Sequence, residues 1–596
     1  MTSYSEKLNQ LRKHMAEKYI DFYYVPTRDD HNNEYVPEVW QRREWLTGFT
    51  GSYGEALIGL EKAYLWTDPR YYLQAEQELD ATHFQLMKQL QGVAAPVSTW
   101  LGDNAVNCAV GVDPKVISMS QSRQWSMSLS RVHGELTSIE SNWVDAIWKN
   151  KPALSFHPIR ILDQQYTGYS ASEKLARVRE SMRHAGAESF VISQLDEIAW
   201  LFNIRGDDIP FNPLVISYAI VTMQEAFLFV NLNSVAQADL SYFADQNIAL
   251  EPYEQFAQAL QKLTGAVWVD PSTTSWWVEL QLDQAFLVEK ASPILLMKSI
   301  KNKTELRGMR EAHRIDAIAV IKFLQWIENH WRNGVDEISA ADQLEQFRRE
   351  DSRCKDLSFT TICGFADHGA IVHYRAEKET AHTITNQEML LVDSGGQYFE
   401  GTTDITRTIH LGTPTAEQKK HYTLVLKGHL ALRHTPFPDG ACGEHINTIA
   451  RTPLWEVGMD FGHGTGHGVG CYLCVHEGPQ RIAFGASGVP LKPGMVVSNE
   501  PGLYFTGQYG IRIENLCEII EKIPENQCLT GNGPFYSMAD LTLVPYARNL
   551  IDTQLLSAQE IDWINDYHRE IYQLLGKELP RDTQQWLKAA TDKLES

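Results

Sequence analysis

One pattern occurs twice in the front half of the sequence, and it constrains the fold more than any other feature. It begins at Ser3 and again at Ser170, and each copy begins Ser-x-x-Glu-Lys-Leu. After two further residues comes an aliphatic residue followed by arginine, and after two more comes methionine. Ser-x-x-Glu is a capping box, in which the two side chains bond the free amides of a helix start, and the apolar residues that follow have helical spacing. Each copy therefore predicts an amphipathic helix.

A short apolar strand and a Trp-Leu pair follow each predicted helix. The strands are Phe22 to Val25 and Phe190 to Ile192, and the pairs begin at Trp45 and Trp200. Helix, strand and helix in the same order predict two related α/β domains, although two unrelated amphipathic helices could share the pattern by chance. The stretch 150–168 carries two prolines and little periodicity, which indicates the connection between the copies.

The sequence changes character near Lys301. A long helix is predicted there, because the apolar residues from Leu306 to Ile327 fall on one helical face. Further helices are predicted from capping boxes at Thr415 and Ser557. Mixed helices and antiparallel strands predict an α+β domain, and the predicted domain ranges are 1–156, 157–298 and 299–596. The strand-like segments of this third region are Met389 to Val392 and Ile405 to Ile409.

Composition excludes several classes of protein. The net charge of −22 argues against nucleic acid as a partner, because its recognition needs clustered basic residues. No apolar run approaches the ~18 residues of a membrane span, and the first residues lack the basic and apolar regions of a signal peptide. We therefore expect a cytoplasmic protein without a membrane partner. Eight cysteines are too few for a disulfide framework, and Cys471 and Cys474 lack the second pair that a zinc site needs, which favours reduced thiols.

Five residues of the third region have the chemistry of a site for two cations. Asp393 ends the apolar strand Met-Leu-Leu-Val-Asp, and Asp404 follows in Gly-Thr-Thr-Asp-Ile-Thr-Arg. A carboxylate at the end of a buried strand must be paired, hydrogen-bonded or bound to a cation, and a hairpin would bring these two together. His467 lies among glycines, Glu500 follows another apolar strand, and Glu514 follows the next strand of an apparent hairpin.

Each of these residues has an ordinary structural role as its alternative. An aspartate after a strand is more often a turn or helix cap, and a histidine among glycines is more often a loop residue. Only the five residues taken together, in their order along the chain, favour a metal site; we call them the ordered set. Four carboxylates and one imidazole suit manganese, cobalt or zinc, and two such ions could activate water and polarise a carbonyl.

The ordered set resembles the ligand set of the pita-bread metallopeptidases. Within that family, the chain is most similar to the long, three-domain aminopeptidase P subgroup. The resemblance implies two related, creatinase-like N-terminal α/β domains followed by a C-terminal pita-bread domain, and it covers essentially the whole chain. The segments that carry it are His-Gly-Thr-Gly-His-Gly-Val-Gly at 463–470, Val-His-Glu-Gly-Pro at 475–479 and Gly-Ile-Arg-Ile-Glu-Asn at 510–515.

The resemblance implies a metal-dependent aminopeptidase that removes the first residue from peptides whose second residue is proline. Asp393, Asp404 and Glu514 would contact or bridge two divalent ions, with manganese as the family's usual metal. His467 would bind one ion and Glu500 the other. Glu500 would also take a proton from the attacking water.

Three further histidines match the family, and an arginine lies in the same predicted substrate site. His373 would act near the scissile bond as a proton shuttle, His463 would help form the proline pocket, and His476 would hydrogen-bond the substrate carbonyl. Imidazole titrates near neutrality, so any of them could move protons, and a hydrogen-bonded loop histidine is the alternative for each. Arg512 would orient Glu514 or another acidic group, or would form only a surface ion pair.

Three alternatives share the catalytic fold. Prolidase has the same metals but cleaves only Xaa-Pro dipeptides, and the duplicated front half favours the aminopeptidase over it. Creatinase-like hydrolases lack the metals, and non-catalytic binding relatives usually lack ligands, so the complete set of five disfavours both. The family also implies a homodimer.

Overall fold

A computed structural model of the chain describes residues 3–89, 96–485, 487–528 and 533–595. The chain divides into two compact units, Met1–Leu296 and Met297–Ser596. The outermost positions of the predicted domains, 1–2 and 596, lie outside the described residues. None of the helices within the described ranges combines the length and the apolar character needed to cross a membrane.

The first unit contains two six-stranded sheets with the same topology. The strand orders are β4-β3-β2-β1-β5-β6 and β12-β11-β10-β8-β13-β14. In each sheet the first strand of the copy pairs in antiparallel with one neighbour and in parallel with the other. The strands are β1 (Phe22–Pro26), β2 (Glu55–Gly59), β3 (Ala63–Thr67), β4 (Phe84–Lys88), β5 (Ala109–Val112), β6 (Glu135–Ser138), β7 (Arg160–Ile161), β8 (Ser189–Ile192), β9 (Ile204–Arg205), β10 (Ser217–Thr222), β11 (Ala226–Val230), β12 (Ile248–Pro252), β13 (Gly265–Val269) and β14 (Ala285–Glu289).

Helices connect and cover these sheets. Because the two sheets share one topology, chance is an inadequate explanation for the repeated sequence pattern. The stretch 150–168 is not structureless, because it contains β7, which pairs with β9 of the second copy. The helices are α1 (Tyr4–Glu17), α2 (Arg42–Thr47), α3 (Tyr72–Glu78), α4 (Pro96–Asn104), α5 (Met119–Ser130), α6 (Trp143–Ile147), α7 (Gln164–Thr167), α8 (Ala171–Ala185), α9 (Leu195–Leu201), α10 (Leu240–Asp245), α11 (Phe256–Gln261), α12 (Trp276–Gln281) and α13 (Pro293–Ser299).

The conserved order of residues within the repeat has a structural cause. Both predicted capping boxes form, at Ser3 and Ser170. The arginines of the two helices each donate Nε–H to a backbone carbonyl of their own copy, Arg12 to Gly59 at 2.9 Å and Arg179 to Thr222 at 2.9 Å. These contacts hold equivalent helices against equivalent strand ends.

The lysine and the Trp-Leu pair of the repeat also contact each other in both copies. The Lys7 ammonium donates to the carbonyl oxygen of Trp45, and that of Lys174 donates to the carbonyl oxygen of Trp200 at 2.8 Å. Each ammonium also lies over the indole ring, at 4.6 and 4.2 Å from its centroid. The lysine therefore caps the carbonyl end of the short helix that carries the tryptophan.

The second unit combines helices with small antiparallel sheets, as expected for an α+β domain. Its strands are β15 (Cys354–Leu357), β16 (Ile362–Phe365), β17 (Met389–Ser394), β18 (Gly396–Tyr398), β19 (Gly401–Thr402), β20 (Ile405–His410), β21 (Phe437–Pro438), β22 (Gly466–His467), β23 (Arg481–Ile482), β24 (Val496–Asn499), β25 (Gly502–Phe505), β26 (Tyr509–Arg512), β27 (Asn515–Ile523) and β28 (Phe535–Asp540). Its helices are α14 (Lys303–His330), α15 (Glu337–Arg349), α16 (Ala416–His434), α17 (Gly443–Trp455), α18 (Ala558–Leu575) and α19 (Arg581–Ala590).

The predicted long helix is α14, and the capping boxes at Thr415 and Ser557 both form. The apolar face of α14 packs with residues of α16, α18 and the central strands in one core cluster. This core fixes the strands that carry the acidic residues.

Two antiparallel ladders set the positions of the acidic residues. β17 lies between β16 and β20, and its Asp393 pairs with Thr406. β24 pairs with β27 through Asn499 and Asn515, the residues that directly precede Glu500 and follow Glu514. A hairpin does precede Glu514, formed by β25 and β26 in antiparallel, whereas the apolar strand before Glu500, β24, pairs with β27.

Candidate metal centre

Asp393 is buried at the end of β17 and is held from one side by Arg512. Its Oδ2 accepts N–H bonds from Arg512 Nη2 at 2.7 Å and Nε at 3.1 Å. Its Oδ1 is buried and accepts no hydrogen bond from any residue in the described ranges. Arg512 is itself only 2% exposed, so the surface ion pair considered for it is wrong. The arginine orients an acidic group, and that group is Asp393.

Asp404, His467 and Glu500 come together from three strand ends. His467 Nδ1 lies 2.9 Å from the carbonyl oxygen of Gly468, so Nδ1 carries the hydrogen and Nε2 faces the acidic groups. Nε2 lies 3.3 Å from Glu500 Oε1 and 3.5 Å from Asp404 Oδ2. Ser498 joins two of these elements, since its Oγ accepts from the His467 amide at 2.9 Å and donates to Glu500 at 3.0 Å.

Glu514 completes the cluster from the chain between β26 and β27. Its Oε2 accepts a hydrogen bond from Thr406 Oγ1 at 2.7 Å, and its side chain is buried. One ligand atom from each of Asp404, His467 and Glu514 lies within 4.8 Å of the other two. All five predicted ligands therefore belong to one cluster, in which Arg512 and Thr406 fix two of the carboxylates.

Burial, and after it the mutual repulsion of negative charges, raises the pKa values of two carboxylates in the metal-free cluster. Burial, followed by the charges of Asp404 and Glu500, raises the pKa of Glu514 well above its usual value. Burial and the charges of Asp393 and Glu500 likewise raise the pKa of Asp404 to about 6, against the opposing contact with His467. Burial lowers the pKa of His467, but the contact with Asp404 and the charge of Glu500 outweigh it and raise the value to about 9.

This donor set fits divalent cations. Four carboxylates converge with one imidazole, and within the described residues Arg512 is the arginine that bonds one of these carboxylates, Asp393. Asp404 Oδ1, like Asp393 Oδ1, is buried and accepts no hydrogen bond from the residues that the structure describes. Such orphaned carboxylate oxygens are costly unless a cation or water satisfies them. Oxygen-rich ligands with one imidazole suit manganese, cobalt or zinc.

His373 lies in a turn that is attached to this cluster through Arg512. The carbonyl oxygen of its neighbour Val372 accepts from Arg512 Nη2 at 3.3 Å, on the same guanidinium that bonds Asp393. The imidazole of His373 is half-buried. The arginine therefore links the backbone beside His373 to the carboxylate of Asp393.

His463 is joined to the same arginine by a tyrosine. His463 Nε2 lies 2.8 Å from the hydroxyl oxygen of Tyr504, and that oxygen accepts from Arg512 Nη1 at 2.8 Å. Since the Tyr504 oxygen already accepts from the guanidinium, its own hydrogen can be donated to Nε2. Burial raises the pKa of Tyr504 to about 12, so the hydroxyl keeps that proton at neutral pH.

His476 packs against the imidazole of His467. The two ring centroids are 4.5 Å apart, with planes at 85°. The cysteines between these histidines, buried Cys471 and half-buried Cys474, form no disulfide with any cysteine in the described ranges. The structure thus brings His476 beside a proposed ligand.

Three residues of the site were not predicted from the sequence. Tyr504, Thr406 and Ser498 each bond a residue of the predicted site. Two of them had a usable signal, because Thr406 and Ser498 stand two positions from Asp404 and Glu500, the interval at which strand residues share a face. Tyr504 could not be predicted without the register of the β25–β26 hairpin, in which Gly502 pairs with Arg512 and Tyr504 with Gly510.

Sequence comparison assigns each part of the chain to recognised domains. Residues 307–521 match metallopeptidase family M24, and residues 534–594 match the C-terminal region of that family. Residues 7–147 and 150–305 each match the creatinase/prolidase N-terminal domain. The chain belongs to metallopeptidase family M24.

Two relatives and one solved structure are similar to this chain over nearly its full length. A protein of Sordaria macrospora named probable Xaa-Pro aminopeptidase P is 40% identical over 586 residues, which cover 95% of each chain. A protein of the same name from Colletotrichum graminicola is 38% identical over 613 residues, 99% of each chain. The X-prolyl aminopeptidase of Caenorhabditis elegans, described as a cytosolic enzyme with a di-nuclear active site, aligns over 100% of both chains with 33% identity and a TM-score of 0.94.

Solved dipeptidases share only part of this architecture. The Xaa-Pro dipeptidase of Bacillus anthracis aligns over 63% of this chain and 99% of its own, with 24% identity and a TM-score of 0.50. At that identity the likeness concerns the fold alone. The shorter alignment is consistent with the duplicated front half of this chain.

Proposed function

We propose that this protein is a two-metal Xaa-Pro aminopeptidase, which hydrolyses the bond between an N-terminal residue and a penultimate proline. The observation that carries the proposal is the cluster of Asp404, His467 and Glu514, with Glu500 beside His467 and Asp393 close enough to raise the pKa of Glu514, together with two buried, unsatisfied aspartate oxygens. The full-length likeness to X-prolyl aminopeptidases, rather than to the shorter dipeptidases, supports this activity over the prolidase alternative.

Asp393, Asp404, His467, Glu500 and Glu514 would hold two divalent cations, with manganese as the proposed metal. When bound, such a pair activates a water molecule and polarises the scissile carbonyl. The residues that bond the ligands would leave the other carboxylate oxygens available to the ions. Arg512 occupies Oδ2 of Asp393, and Thr406 occupies Oε2 of Glu514. Such neighbours of a metal site typically tune both affinity and activity.

Proton transfers are assigned to Glu500 and His373. Glu500 is less buried than the other carboxylates, with 17% of its side chain exposed, and it would accept the proton of the attacking water. His373 would deliver a proton to the departing proline nitrogen, which carries no hydrogen in the peptide. His476 would donate a hydrogen bond to the substrate carbonyl as negative charge develops on its oxygen.

The proline ring is assigned to the side of the site that contains His463 and Tyr504. The His463 ring lies 5.4 Å from the Tyr504 ring and 4.9 Å from the Phe461 ring, so three ring systems offer an apolar surface. A pyrrolidine ring needs a contact surface of this kind. Arg512 contributes through Tyr504 and Asp393 rather than by an exposed charge.

The decisive experiment compares tripeptide and dipeptide hydrolysis. Protein treated with a chelator and then supplied with manganese should release arginine from Arg-Pro-Pro, and protein without added metal should not. Glu500→Gln should lower kcat by at least about 100-fold, because the general base is lost. Hydrolysis of Ala-Pro without cleavage of Arg-Pro-Pro would instead identify a prolidase. Folded, metal-loaded protein that cleaves neither would contradict both functions.

We also propose that the protein is a cytoplasmic homodimer. The worm relative is described as cytosolic, which supports the location. An exposed apolar patch supports the dimer: Trp455 and Val457 are each 42% exposed, and the Trp455 ring stacks on that of Phe484. Wild-type protein should have the mass of a dimer in light scattering. Trp455→Lys should produce a monomer, and a wild-type monomer would contradict the assembly.

The proposed domain ranges are 1–156, 157–298 and 299–596. The matches to two N-terminal domains and to a metallopeptidase domain support this division. Limited proteolysis should cut first near 150–158, where most side chains are exposed or half-buried, and resistance there with cleavage elsewhere would contradict the first boundary.

A further inference from the structure

A buried glutamate lies outside the metal cluster and fixes the segment that carries His373. Glu337 is the first residue of α15, and its side chain is fully buried. Its Oε1 accepts from the Phe365 amide at 2.7 Å, and its Oε2 accepts from the Tyr374 hydroxyl at 2.8 Å and the His382 amide at 2.8 Å. His368 Nδ1 lies 3.0 Å from both oxygens. One carboxylate thus binds four donors.

These donors bracket a segment with a strained backbone. Ala366 follows Phe365 and has φ = +54°, which is unfavourable for a residue with a Cβ atom. Such conformations persist only where the surroundings impose them. The flanking Phe365 amide and the His368 ring are both bound to Glu337, so the carboxylate supplies that constraint.

The far side of the segment is fixed on the metal cluster. A Cβ atom on Gly510 of β26 would overlap the carbonyl oxygen of Gly369, so the two backbones are in close contact. Arg512, also of β26, bonds the Val372 carbonyl and Asp393. His373 therefore stands between one neighbour held by Arg512 and another, Tyr374, held by Glu337.

The cluster of Glu337, His368 and His382 does not have the geometry of a cation site. The two imidazoles stack with centroids 3.7 Å apart and planes at 17°, so their nitrogen lone pairs do not converge on a common point. The Tyr374 ring stacks on the other face of this pair, 4.4 Å from His368. Both carboxylate oxygens are already engaged by hydrogen-bond donors. The arrangement is one that fixes the backbone of the surrounding segment rather than one that binds a cation.

We propose that Glu337 is a positioning residue for His373, through its hold on the segment from Phe365 to Tyr374. This inference rests on the proposed function for its kinetic consequence. A side chain that transfers a proton loses much of its effect when displaced by ~1 Å. Substitution of Glu337 should therefore lower kcat through His373, while KM and metal content change little.

The test is a double-mutant cycle between Glu337→Gln and His373→Ala. An amide replaces one acceptor oxygen with a donor, so it cannot accept from all four groups. Glu337→Gln alone should lower kcat for Arg-Pro-Pro about 30- to 100-fold. In the His373→Ala background the same change should lower kcat less than about threefold, because the residue it positions is already absent. Tyr374→Phe removes one donor but keeps the Glu337 carboxylate, so it should also lower kcat, by a smaller factor. This variant replaces Glu337→Gln in the cycle if Glu337→Gln does not fold.

The matched control is Glu55→Gln in the first unit. Glu55 is also a buried glutamate that accepts from two tyrosine hydroxyls and a glutamine amide, and these donors all belong to its own unit. This control should leave kcat within about twofold of wild type.

Hydrogen exchange tests the positioning without any substrate. Amides 365–374 should exchange at least about tenfold faster in Glu337→Gln than in wild type, and Glu55→Gln should not change them. Equal kcat losses in both backgrounds of the cycle, or unchanged exchange in this segment, would overturn the proposal. Wild-type protein that fails to cleave Xaa-Pro peptides would refute the proposed function, and exchange alone would then decide the role of Glu337.

Discussion

Replacement of Arg512 should weaken metal binding although the residue is not a proposed ligand. Its two bonds to Asp393 Oδ2 join groups whose side chains are 2% and 11% exposed. Removal of one partner from such a buried pair costs about 3–5 kcal/mol, because the other charge is left uncompensated. Bound cations would compensate Asp393 in part, so this charge cost falls mainly on the metal-free protein, and the expected loss of metal affinity comes instead from the lost orientation of the Asp393 carboxylate. We expect the 10- to 100-fold effect typical of residues that orient ligands, about 1.4–2.7 kcal/mol.

Two substitutions separate charge from geometry. Arg512→Lys keeps the charge but cannot span Asp393, Tyr504 and the Val372 carbonyl, and should weaken manganese binding about tenfold. Arg512→Met removes the charge and should weaken it about 100-fold. Titration calorimetry of chelator-treated protein gives the affinity, and kcat/KM for Arg-Pro-Pro should fall in parallel.

A buried arginine of the other unit provides the control for this series. Arg42 donates two bonds to Asp145, each 2.8 Å long, so Arg42→Lys removes a similar pair. It should leave manganese affinity unchanged. If both Arg512 variants bind manganese within twofold of wild type, the orientation of Asp393 by Arg512 has no bearing on the metals and the reasoning is refuted.

The contacts of the site lead to four further predictions. With the pKa of His467 raised to about 9, a cation must displace its proton, so manganese affinity should fall about tenfold per pH unit between pH 8 and 6, and more steeply below about pH 6, where Asp404 also holds a proton; a flat calorimetric profile would contradict this. Both pKa values are raised, so without metal the protonated groups stabilise the fold, and melting temperature should decrease as pH rises through about 6 and again through about 9. Tyr504→Phe removes the hydroxyl beside His463 and should raise KM about tenfold while metal affinity is kept, and an unchanged KM would exclude this hydroxyl from substrate binding. Thr406→Val should weaken manganese binding about tenfold and Thr406→Ser should not, since only the hydroxyl holds the carboxylate; equal affinities in all three proteins would count against that role.

The sequence was sufficient for the framework because its local signals agree with the tertiary structure. The repeated capping boxes mark two real helices, and the contact of each pattern lysine with its tryptophan explains why those residues recur together. The acidic residues of the site were recognisable because each adjoins an apolar strand that must be buried. One such carboxylate has ordinary structural alternatives, but several of them at the ends of buried strands must be paired, hydrogen-bonded or bound to cations.

Contacts between distant segments were not predictable in the same way. Glu337 occupies the first turn of a helix, where an acidic residue is ordinary, and nothing local indicates the donors 28 to 45 positions away. Arg512 is near Glu514 in sequence, but β26 ends at Arg512, and the guanidinium bonds Asp393 from another sheet. Such partners depend on how sheets pack, which periodicity does not reveal.

The pairing of Asp393 with Thr406 across β17 and β20 has a consequence for how the chain can change length. Side chains alternate between the two faces of a strand, so deletion of one residue within either strand would turn its remaining residues to the opposite face. Asp393 or the hydroxyl that bonds Glu514 would then leave the cluster. Segments outside the ladders, such as 411–415 between β20 and α16, are free of that parity. Gaps and insertions among related sequences should therefore be absent from β17 and β20 and fall in such connections between paired strands and helices.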